Sequence, residues 1–137
     1  MYTHSTQIRV RYADTDQMGY VYYGNYARYY EIARVESFRN LGLTYREMEE
    51  DGIIMPVLEN WSKFYKPGLY DELLTIKAKI PKLPGVRVTF EYDIENEKGE
   101  LIQQGKTTLV FLDKASRKPS AFPEHMLQLL KPFYGEE

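Results

Sequence analysis

Two aspartates and a glycine stand in a short polar segment directly before a long helical pattern. Asp14 and Asp16 are separated by one residue, and Gly19 follows in the same segment. A carboxylate held beside free backbone N–H groups could attack a carbonyl carbon or activate a water molecule against it. Alternatively, both aspartates shape a tight turn by accepting hydrogen bonds from their own backbone, as Asp commonly does. The residue types alone leave both interpretations open.

The start of the helical pattern could supply the other half of that chemistry. The first N–H groups of a helix have no partner within the helix, and this end carries a partial positive charge. Such a terminus can hold an anion or a developing oxyanion. We therefore expect the functional site at the junction between Asp14 and Tyr26.

The element that must position this site is a long helix, predicted from Asn25 to Leu41. Its apolar residues recur with helical spacing over a wide face, and charged residues occupy other positions. Asn25 is a favourable N-cap type, and Gly42 suits the left-handed residue that follows many helix ends. At ~1.5 Å per residue the helix would span roughly 25 Å, about the width of a small domain.

The remainder of the chain consists mainly of strand patterns separated by turn signals. Five segments have strand character, and they cover residues 7–12, 53–65, 74–80, 86–95 and 101–112. Pro56 is compatible with an edge strand, and Gly105 indicates a bulge or a close backbone approach. Short helices are predicted after Thr44, which begins a capping-box pattern, and from Pro123.

This order of elements predicts the fold class α+β, with one long helix packed on a mostly antiparallel sheet. Strands and helices do not alternate, so a doubly wound parallel sheet is not expected. The helix has apolar residues on more than one side, and a single sheet need not cover them all. Self-association through an edge strand or through the tyrosine-rich loop would complete the cover.

Composition limits the classes of function. A chain of 137 residues suits one domain with a substantial core. The absence of cysteine excludes disulfides, thiolate metal sites and a cysteine nucleophile. A net charge of −2 provides no field that would recruit nucleic acid. No apolar run approaches the ~20 residues that span a bilayer, and the first residues lack a signal-peptide layout. We expect a soluble cytoplasmic protein.

The two histidines do not contribute to the expected site. His4 and His125 lie near the two ends of the chain, outside the polar segment, and surface positions are expected for both. Two isolated histidines do not provide the ligand set of a transition-metal site. No metal is expected.

The polar segment and helix start resemble the 4-hydroxybenzoyl-CoA thioesterase family of hot-dog acyl-CoA thioesterases. The residues that carry the resemblance are Tyr12, Asp14, Asp16, Gly19, Val21, Tyr23, Asn25 and Tyr26, followed by the helical segment 29–34. The resemblance implies one hot-dog domain over residues 1–137, with a curled antiparallel sheet of about five strands around one long central helix. It also implies a homodimer or homotetramer with active sites at the dimer interface.

The resemblance further implies hydrolysis of an acyl-CoA thioester to a carboxylic acid and CoA. Asp16 would be the nucleophile or the general base, and a backbone N–H at Tyr23 would polarise the carbonyl oxygen. Asp14 would order the loop. The substrate-binding residues expected on the same basis are Gly19, Val21 and Tyr26. No cofactor is implied, because CoA is part of the substrate.

Several alternatives remain open at this point. Some relatives carry histidine where Tyr23 stands, so a histidine-assisted mechanism would lack its base here. The chain could instead bind acyl-CoA without turnover, or hydrolyse acyl groups carried by acyl carrier protein. Six basic residues could meet the CoA phosphates, namely Lys63, Lys66, Lys77, Lys79, Lys82 and Arg87.

Overall fold

A computed structural model describes residues 1–135 and contains one five-stranded antiparallel sheet with a long helix packed on it. In chain order the elements are β1 (Tyr2–Arg9), α1 (Tyr26–Asn40), α2 (Tyr45–Glu50), β2 (Ile53–Ile54), β3 (Val57–Phe64), β4 (Leu73–Ile80), β5 (Arg87–Glu95), β6 (Leu101–Val110), β7 (Leu112–Asp113) and α3 (Glu124–Leu130). The sheet order is β1-β4-β5-β6-β3, and β2 pairs separately with β7. The predicted α+β class is confirmed. The acidic end of the chain, 136–137, lies outside the described residues.

Helix α1 lies within the predicted limits and ends as predicted. Gly42 has a φ of +88°, and its N–H donates to the carbonyl oxygen of Arg39 at 2.9 Å. The start differs from the prediction, because Asn25 has helical backbone angles and its side chain caps no helix N–H. The Asn25 amide instead donates to the carbonyl oxygen of Asp14 at 2.8 Å. Asn25 therefore ties the preceding loop to the helix start.

Aromatic contacts fix α1 across the middle of the sheet. The ring of Tyr30 stacks on that of Tyr92 in β5, with ring centroids 4.3 Å apart. Farther along the helix, Phe38 meets Phe90 edge-on at 5.7 Å. These four rings are fully buried, and aromatic pairs of this geometry add to the stabilisation from apolar burial.

No helix within residues 1–135 is long and apolar enough to cross a membrane.

Three strand predictions were wrong in their limits. The predicted last strand, 101–112, ends at Val110, because Leu112 belongs to the separate strand β7 that pairs with β2. The first strand was predicted over 7–12, but β1 is Tyr2–Arg9 and pairs with β4 along its whole length. The residues of 3–6 are small or polar and show no apolar alternation, so the pattern hid that half of the strand. The run 53–65 is two strands rather than one, with Pro56 between β2 and β3. Because β3 is the last strand in the sheet order, it forms an edge.

Gly105 in β6 permits a close approach by the side chain of Tyr30. A Cβ atom at position 105 would overlap the ring and hydroxyl of Tyr30. That hydroxyl is hydrogen-bonded to Ser62 Oγ at 2.7 Å and to the amide of Gln103, so it has little freedom to move. The ladder with β5 continues through Gly105 without a register shift there, so of the two predicted alternatives it is the close approach that occurs.

We expect Gly105→Ala to lower the free energy of unfolding by about 1–3 kcal/mol, the usual effect of overpacking a rigid core. Urea denaturation of the two proteins would measure the difference. Gly85→Ala is the matched control, because a Cβ at Gly85 meets no atom within 4 Å. Equal, small effects of both substitutions would contradict this interpretation of Gly105.

Candidate functional site

A cleft of about 330 Å³ opens where the loop before α1 meets the end of β3. The loop and the helix start contribute Asp16, Val21, Tyr23 and Tyr26, and residues 64–67 form the opposite wall. Its volume and its largely aromatic lining are typical of small-molecule sites. Four of the five residues predicted for the site are therefore brought together.

The loop is anchored to the corner after β3 by backbone hydrogen bonds. Val21 donates its N–H to the carbonyl oxygen of Gly68 at 2.8 Å. A Cβ at the buried Gly68 would lie 3.1 Å from the hydroxyl of Tyr26 and 3.2 Å from Val21, so the loop packs closely against this corner. The ring of Tyr26 also meets that of Phe64 at 5.5 Å. These contacts hold the two walls of the cleft together.

Asp16 is half-buried at the wall of the cleft. Its Oδ1 accepts the N–H of Met18 at 2.8 Å, and its own N–H donates to the carbonyl oxygen of Tyr20 at 3.1 Å. No side chain among residues 1–135 donates a hydrogen bond to its carboxylate. The two interpretations of the aspartates therefore coexist in this residue, which shapes a turn and presents a carboxylate to the cleft.

Asp14 does not line the cleft, and its carboxylate is fully engaged within the protein. The residue is only 4% exposed. Its Oδ2 accepts the N–H of Arg11 at 3.0 Å and the hydroxyl of Tyr29 at 2.8 Å, and its Oδ1 pairs with the guanidinium of Arg28. Burial, reinforced by the Asp14 carboxylate, raises the pKa of Tyr29, which stays a hydroxyl donor. These contacts tie the loop to α1.

The helix start is built in two parts. Tyr23–Asn25 forms a 3₁₀ turn that leads directly into α1. Tyr22 donates its N–H to the carbonyl oxygen of Asp14 at 2.9 Å. The N–H of Tyr23 has no backbone partner within residues 1–135, as expected for the first residue of such a turn. The expected donor position thus lies on the 3₁₀ turn at the cleft, three residues before α1 begins.

Gly19 is the one predicted site residue that does not line the cleft. Its φ of +85° lies in the left-handed region that glycine adopts readily. Its N–H donates to the carbonyl oxygen of Asp16 at 3.0 Å. Gly19 therefore closes the turn that carries Asp16, and its expected contact with substrate stays a prediction.

The wall formed by residues 64–67 was not predicted as part of the site. Phe64, Tyr65 and Pro67 carried no chemical signal, although the apolar run ending in a Lys-Pro-Gly corner marked the end of a strand. Lys66 was one of the six basic candidates, and it lines the cleft while pairing with Glu100. The other five do not line this cleft.

The histidines are remote from the cleft. His4 is half-buried on β1 and His125 is exposed on α3, and neither lines it. Residues 1–135 contain no group of three His, Cys, Asp or Glu side chains that could hold a metal ion.

Alkaline pH should weaken the packing around the cleft. Burial raises the pKa of Tyr26 from 10.0 to about 12. The unfolded chain loses this proton near pH 10, and the folded chain loses it only near pH 12. The protonated Tyr26 hydroxyl therefore contributes to the free energy of unfolding in full below pH 10, and this contribution is lost as the pH rises to 12. The contribution is about 2–3 kcal/mol. The free energy of unfolding, measured by urea denaturation at several pH values, should fall more steeply for the wild type than for Tyr26→Phe. Parallel curves would contradict the assignment.

Comparison with known proteins gives a consistent set of relatives. Residues 10–130 match the family model described as the Thioesterase-like superfamily. YneP of Bacillus subtilis strain 168, a candidate acyl-CoA thioesterase, is 35% identical over 128 residues, covering 90% of this chain and 93% of YneP. The acyl-CoA thioester hydrolase YbgC of Escherichia coli O157:H7 is 28% identical over 124 residues, covering 90% of this chain and 92% of YbgC.

Solved structures agree with those relatives. The DHNA-CoA thioesterase of Staphylococcus aureus superposes with a TM-score of 0.88 at 36% identity, covering 100% of this chain and 98% of that chain. A mutant 4-hydroxybenzoyl CoA thioesterase complexed with 4-hydroxybenzoyl CoA superposes with a TM-score of 0.83 at 23% identity, covering 94% of this chain and 99% of that chain, and this likeness bears on the fold alone.

Proposed function

The chain belongs to the thioesterase-like superfamily, and from that premise we propose that it hydrolyses an acyl-CoA thioester to a carboxylic acid and free CoA. Thioester hydrolysis is the activity named for its relatives in Bacillus subtilis and Escherichia coli. The chain is a thioester hydrolase with a hot-dog fold. The observation that carries the specific proposal is that the Asp16 carboxylate and the Tyr23 turn line one cleft.

The chemistry follows from that pairing. The thioester carbonyl sits between Asp16 and the first N–H of the turn, which stabilises the negative charge that develops on the carbonyl oxygen. One such donor is worth about 2.7–4 kcal/mol of transition-state stabilisation. The thiolate of CoA is a good leaving group, so no strong general acid is needed.

Two routes fit the same geometry. In the first, Asp16 takes a proton from water, hydroxide adds to the carbonyl carbon, and the C–S bond breaks to release CoA thiolate. In the second, an Asp16 oxygen adds to the carbonyl carbon and CoA thiolate leaves, giving a mixed anhydride that water then hydrolyses. No cofactor enters either route.

The lining of the cleft supports an apolar or aromatic acyl group. Val21, Tyr26 and Phe64 present apolar surface to it, and such walls favour ring-bearing or aliphatic groups over charged ones. The structure from Staphylococcus aureus that is 36% identical is named a DHNA-CoA thioesterase, and a relative in Thermosynechococcus vestitus is named a 1,4-dihydroxy-2-naphthoyl-CoA hydrolase, whose naphthoyl group is aromatic. Aromatic thioesters therefore belong at the head of any substrate panel.

The proposal includes a homodimer or homotetramer in the cytoplasm, with the sheet curled around α1 as the central helix. Support for association comes from β3, an edge strand on which Val57, Leu58 and Trp61 are each about half exposed. An edge with exposed apolar residues invites pairing with a second strand. Sedimentation velocity would show a dimer or tetramer if this is right.

The test of function is a panel of acyl-CoA thioesters assayed by colorimetric release of free thiol. Hydrolysis of at least one member, with preference for apolar or aromatic acyl groups, is the expected result. The same acyl groups on acyl carrier protein would show whether that carrier is preferred. Binding of acyl-CoA with no thiol release across the panel would contradict the enzyme and favour a non-catalytic binding protein.

A further inference from the structure

The cleft at Asp16 is lined by one sulfur-containing residue, Met18. Met18 is 66% exposed. The hydroxyl of Tyr20, which also lines the cleft, donates a hydrogen bond to the Met18 sulfur at 3.0 Å. The backbone N–H of Met18 donates to Asp16 Oδ1 at 2.8 Å. The thioether is therefore held in the cleft wall, open to solvent and two residues from the proposed catalytic carboxylate.

This thioether is the oxidisable group of the chain that is both exposed and part of the cleft. The chain has no cysteine, so no thiol competes with methionine for a peroxide. Among the other four methionines, Met48 and Met126 are buried and Met55 is half-buried. Met1 is 58% exposed, but it does not line the cleft. A peroxide acting on the folded protein should therefore change the cleft only at Met18.

Oxidation would change how the cleft receives an acyl group. A methionine sulfoxide is polar where the thioether is apolar. Val21, Tyr26 and Phe64 present apolar surface in the same cleft. An apolar acyl group bound there would strip water from the new S=O dipole, and the loss of that hydration costs free energy. The sulfoxide therefore opposes binding of the same acyl groups that the lining favours.

We propose that Met18 is an oxidation site, at which hydrogen peroxide converts the thioether to the sulfoxide and weakens binding of the acyl group. The effect on catalysis rests on the proposed function. The sulfur donates an electron pair to one peroxide oxygen, the O–O bond breaks, and the other oxygen leaves as water with both peroxide protons. The sulfur is oxidised and the peroxide is reduced. The Tyr20 hydroxyl, already bonded to the sulfur, gains a stronger acceptor in the sulfoxide oxygen.

Peptide mapping tests the site without any turnover. The folded protein is treated with hydrogen peroxide, digested, and analysed by mass spectrometry for the mass of one added oxygen atom on each methionine peptide. Met18 should be oxidised at least about tenfold faster than the buried Met48 and Met126, because susceptibility follows exposure. In urea the three rates should become similar. Oxidation of Met18 in the folded protein no faster than that of Met126 would overturn the site.

Kinetics test the effect on the cleft. Oxidation should lower kcat/KM for an apolar acyl-CoA about tenfold, and methionine sulfoxide reductases A and B with dithiothreitol should restore it. Met18→Leu conserves apolar volume without sulfur, so peroxide should leave its own kcat/KM unchanged. Met18→Gln places a polar group of similar length in the wall and should lower kcat/KM without peroxide. Met55→Leu is the matched control, and it should keep the peroxide sensitivity of the wild type.

Two kinetic results would overturn the proposal. One is an equal loss of activity in peroxide-treated Met18→Leu, and the other is full activity in a wild-type protein whose Met18 is completely oxidised. A protein that hydrolyses no thioester would refute the proposed function separately. Binding of phenacyl-CoA, a thioether that cannot be hydrolysed, then replaces the kinetic measurement. Its Kd should rise about tenfold on oxidation, and an unchanged Kd or no binding at all would overturn the proposal.

Discussion

Replacement of Asp16 by asparagine should reduce kcat for acyl-CoA hydrolysis by about 10²–10⁴-fold. The amide can neither accept a proton from water nor form a mixed anhydride, so both proposed routes are blocked. The fold should survive, because the amide oxygen can still accept the Met18 N–H that Asp16 Oδ1 accepts at 2.8 Å. Thiol release under saturating substrate measures the loss, and urea denaturation checks that stability is retained.

Asp113→Asn is the matched control for that experiment. Asp113 also shapes a turn, accepting the N–H groups of Ala115 and Ser116 at 3.0 and 2.8 Å, but it does not line the cleft. Its replacement should leave kcat unchanged. If the Asp16 variant hydrolysed acyl-CoA at the wild-type rate, the carboxylate would have no chemical role and Asp16 would be a turn residue only.

Removal of the Asp14 carboxylate should cause a large loss of stability, whereas the Asp16→Asn substitution should leave stability unchanged. Asp14→Ala leaves the hydroxyl of Tyr29 and the N–H of Arg11 without their buried acceptor. Hydrogen bonds to a charged group contribute about 1.5–3 kcal/mol each, and orphaned donors add a desolvation cost. The ion pair with Arg28 adds little, because that side chain is half exposed. We expect the free energy of unfolding at pH 7 to fall by about 2–4 kcal/mol.

Two smaller substitutions separate the contributions to that loss. Tyr29→Phe removes one hydrogen bond to the Asp14 carboxylate and should lower the free energy of unfolding by about 1.5–3 kcal/mol. Arg28→Ala removes the half-exposed partner and should change it by less than about 1 kcal/mol. An Asp14→Ala protein as stable as the wild type would show that the loop is held by its backbone contacts alone.

Local periodicity carried most of the fold prediction. Helix α1 and strands β4 and β5 each bury one face, so their apolar residues recur at the spacing of the element. Glycine signals were equally local, as the left-handed Gly42 and Gly99 show at the end of α1 and in the β5–β6 hairpin. These features depend on neighbours in the sequence, and the sequence therefore contains them.

The errors occur where distant contacts decide the structure. The first half of β1 is held by its hydrogen-bond ladder with β4, in which Thr3 pairs with Lys79. No local sequence pattern predicts that pairing. The side-chain amide of Asn25 donates to the carbonyl oxygen of Asp14, and its side-chain oxygen accepts no helix N–H. The packing of the loop against the helix start sets the orientation of this side chain.

The candidate site likewise has one part that nearby residues in the sequence predict and one part that depends on distant contacts. The spacing from Asp14 to Tyr26 pointed to one wall of the cleft, since those residues are close in sequence. The other wall, from Phe64 to Pro67, is distant in sequence. It reaches the cleft because the strand order of the sheet brings the end of β3 against the helix start.

In the proposed mechanism a thioester carbonyl sits between the Asp16 carboxylate and the N–H of Tyr23. The most direct measurement is a crystal structure with an acyl-CoA analogue in which a CH₂ group replaces the sulfur, so that the carbonyl remains but cannot be hydrolysed. We predict the carbonyl oxygen about 2.7–3.1 Å from the Tyr23 nitrogen. An Asp16 oxygen should lie about 3–3.5 Å from the carbonyl carbon, or contact a water molecule at that distance. A carbonyl bound elsewhere, with Asp16 facing solvent and the Tyr23 N–H unused, would contradict the account.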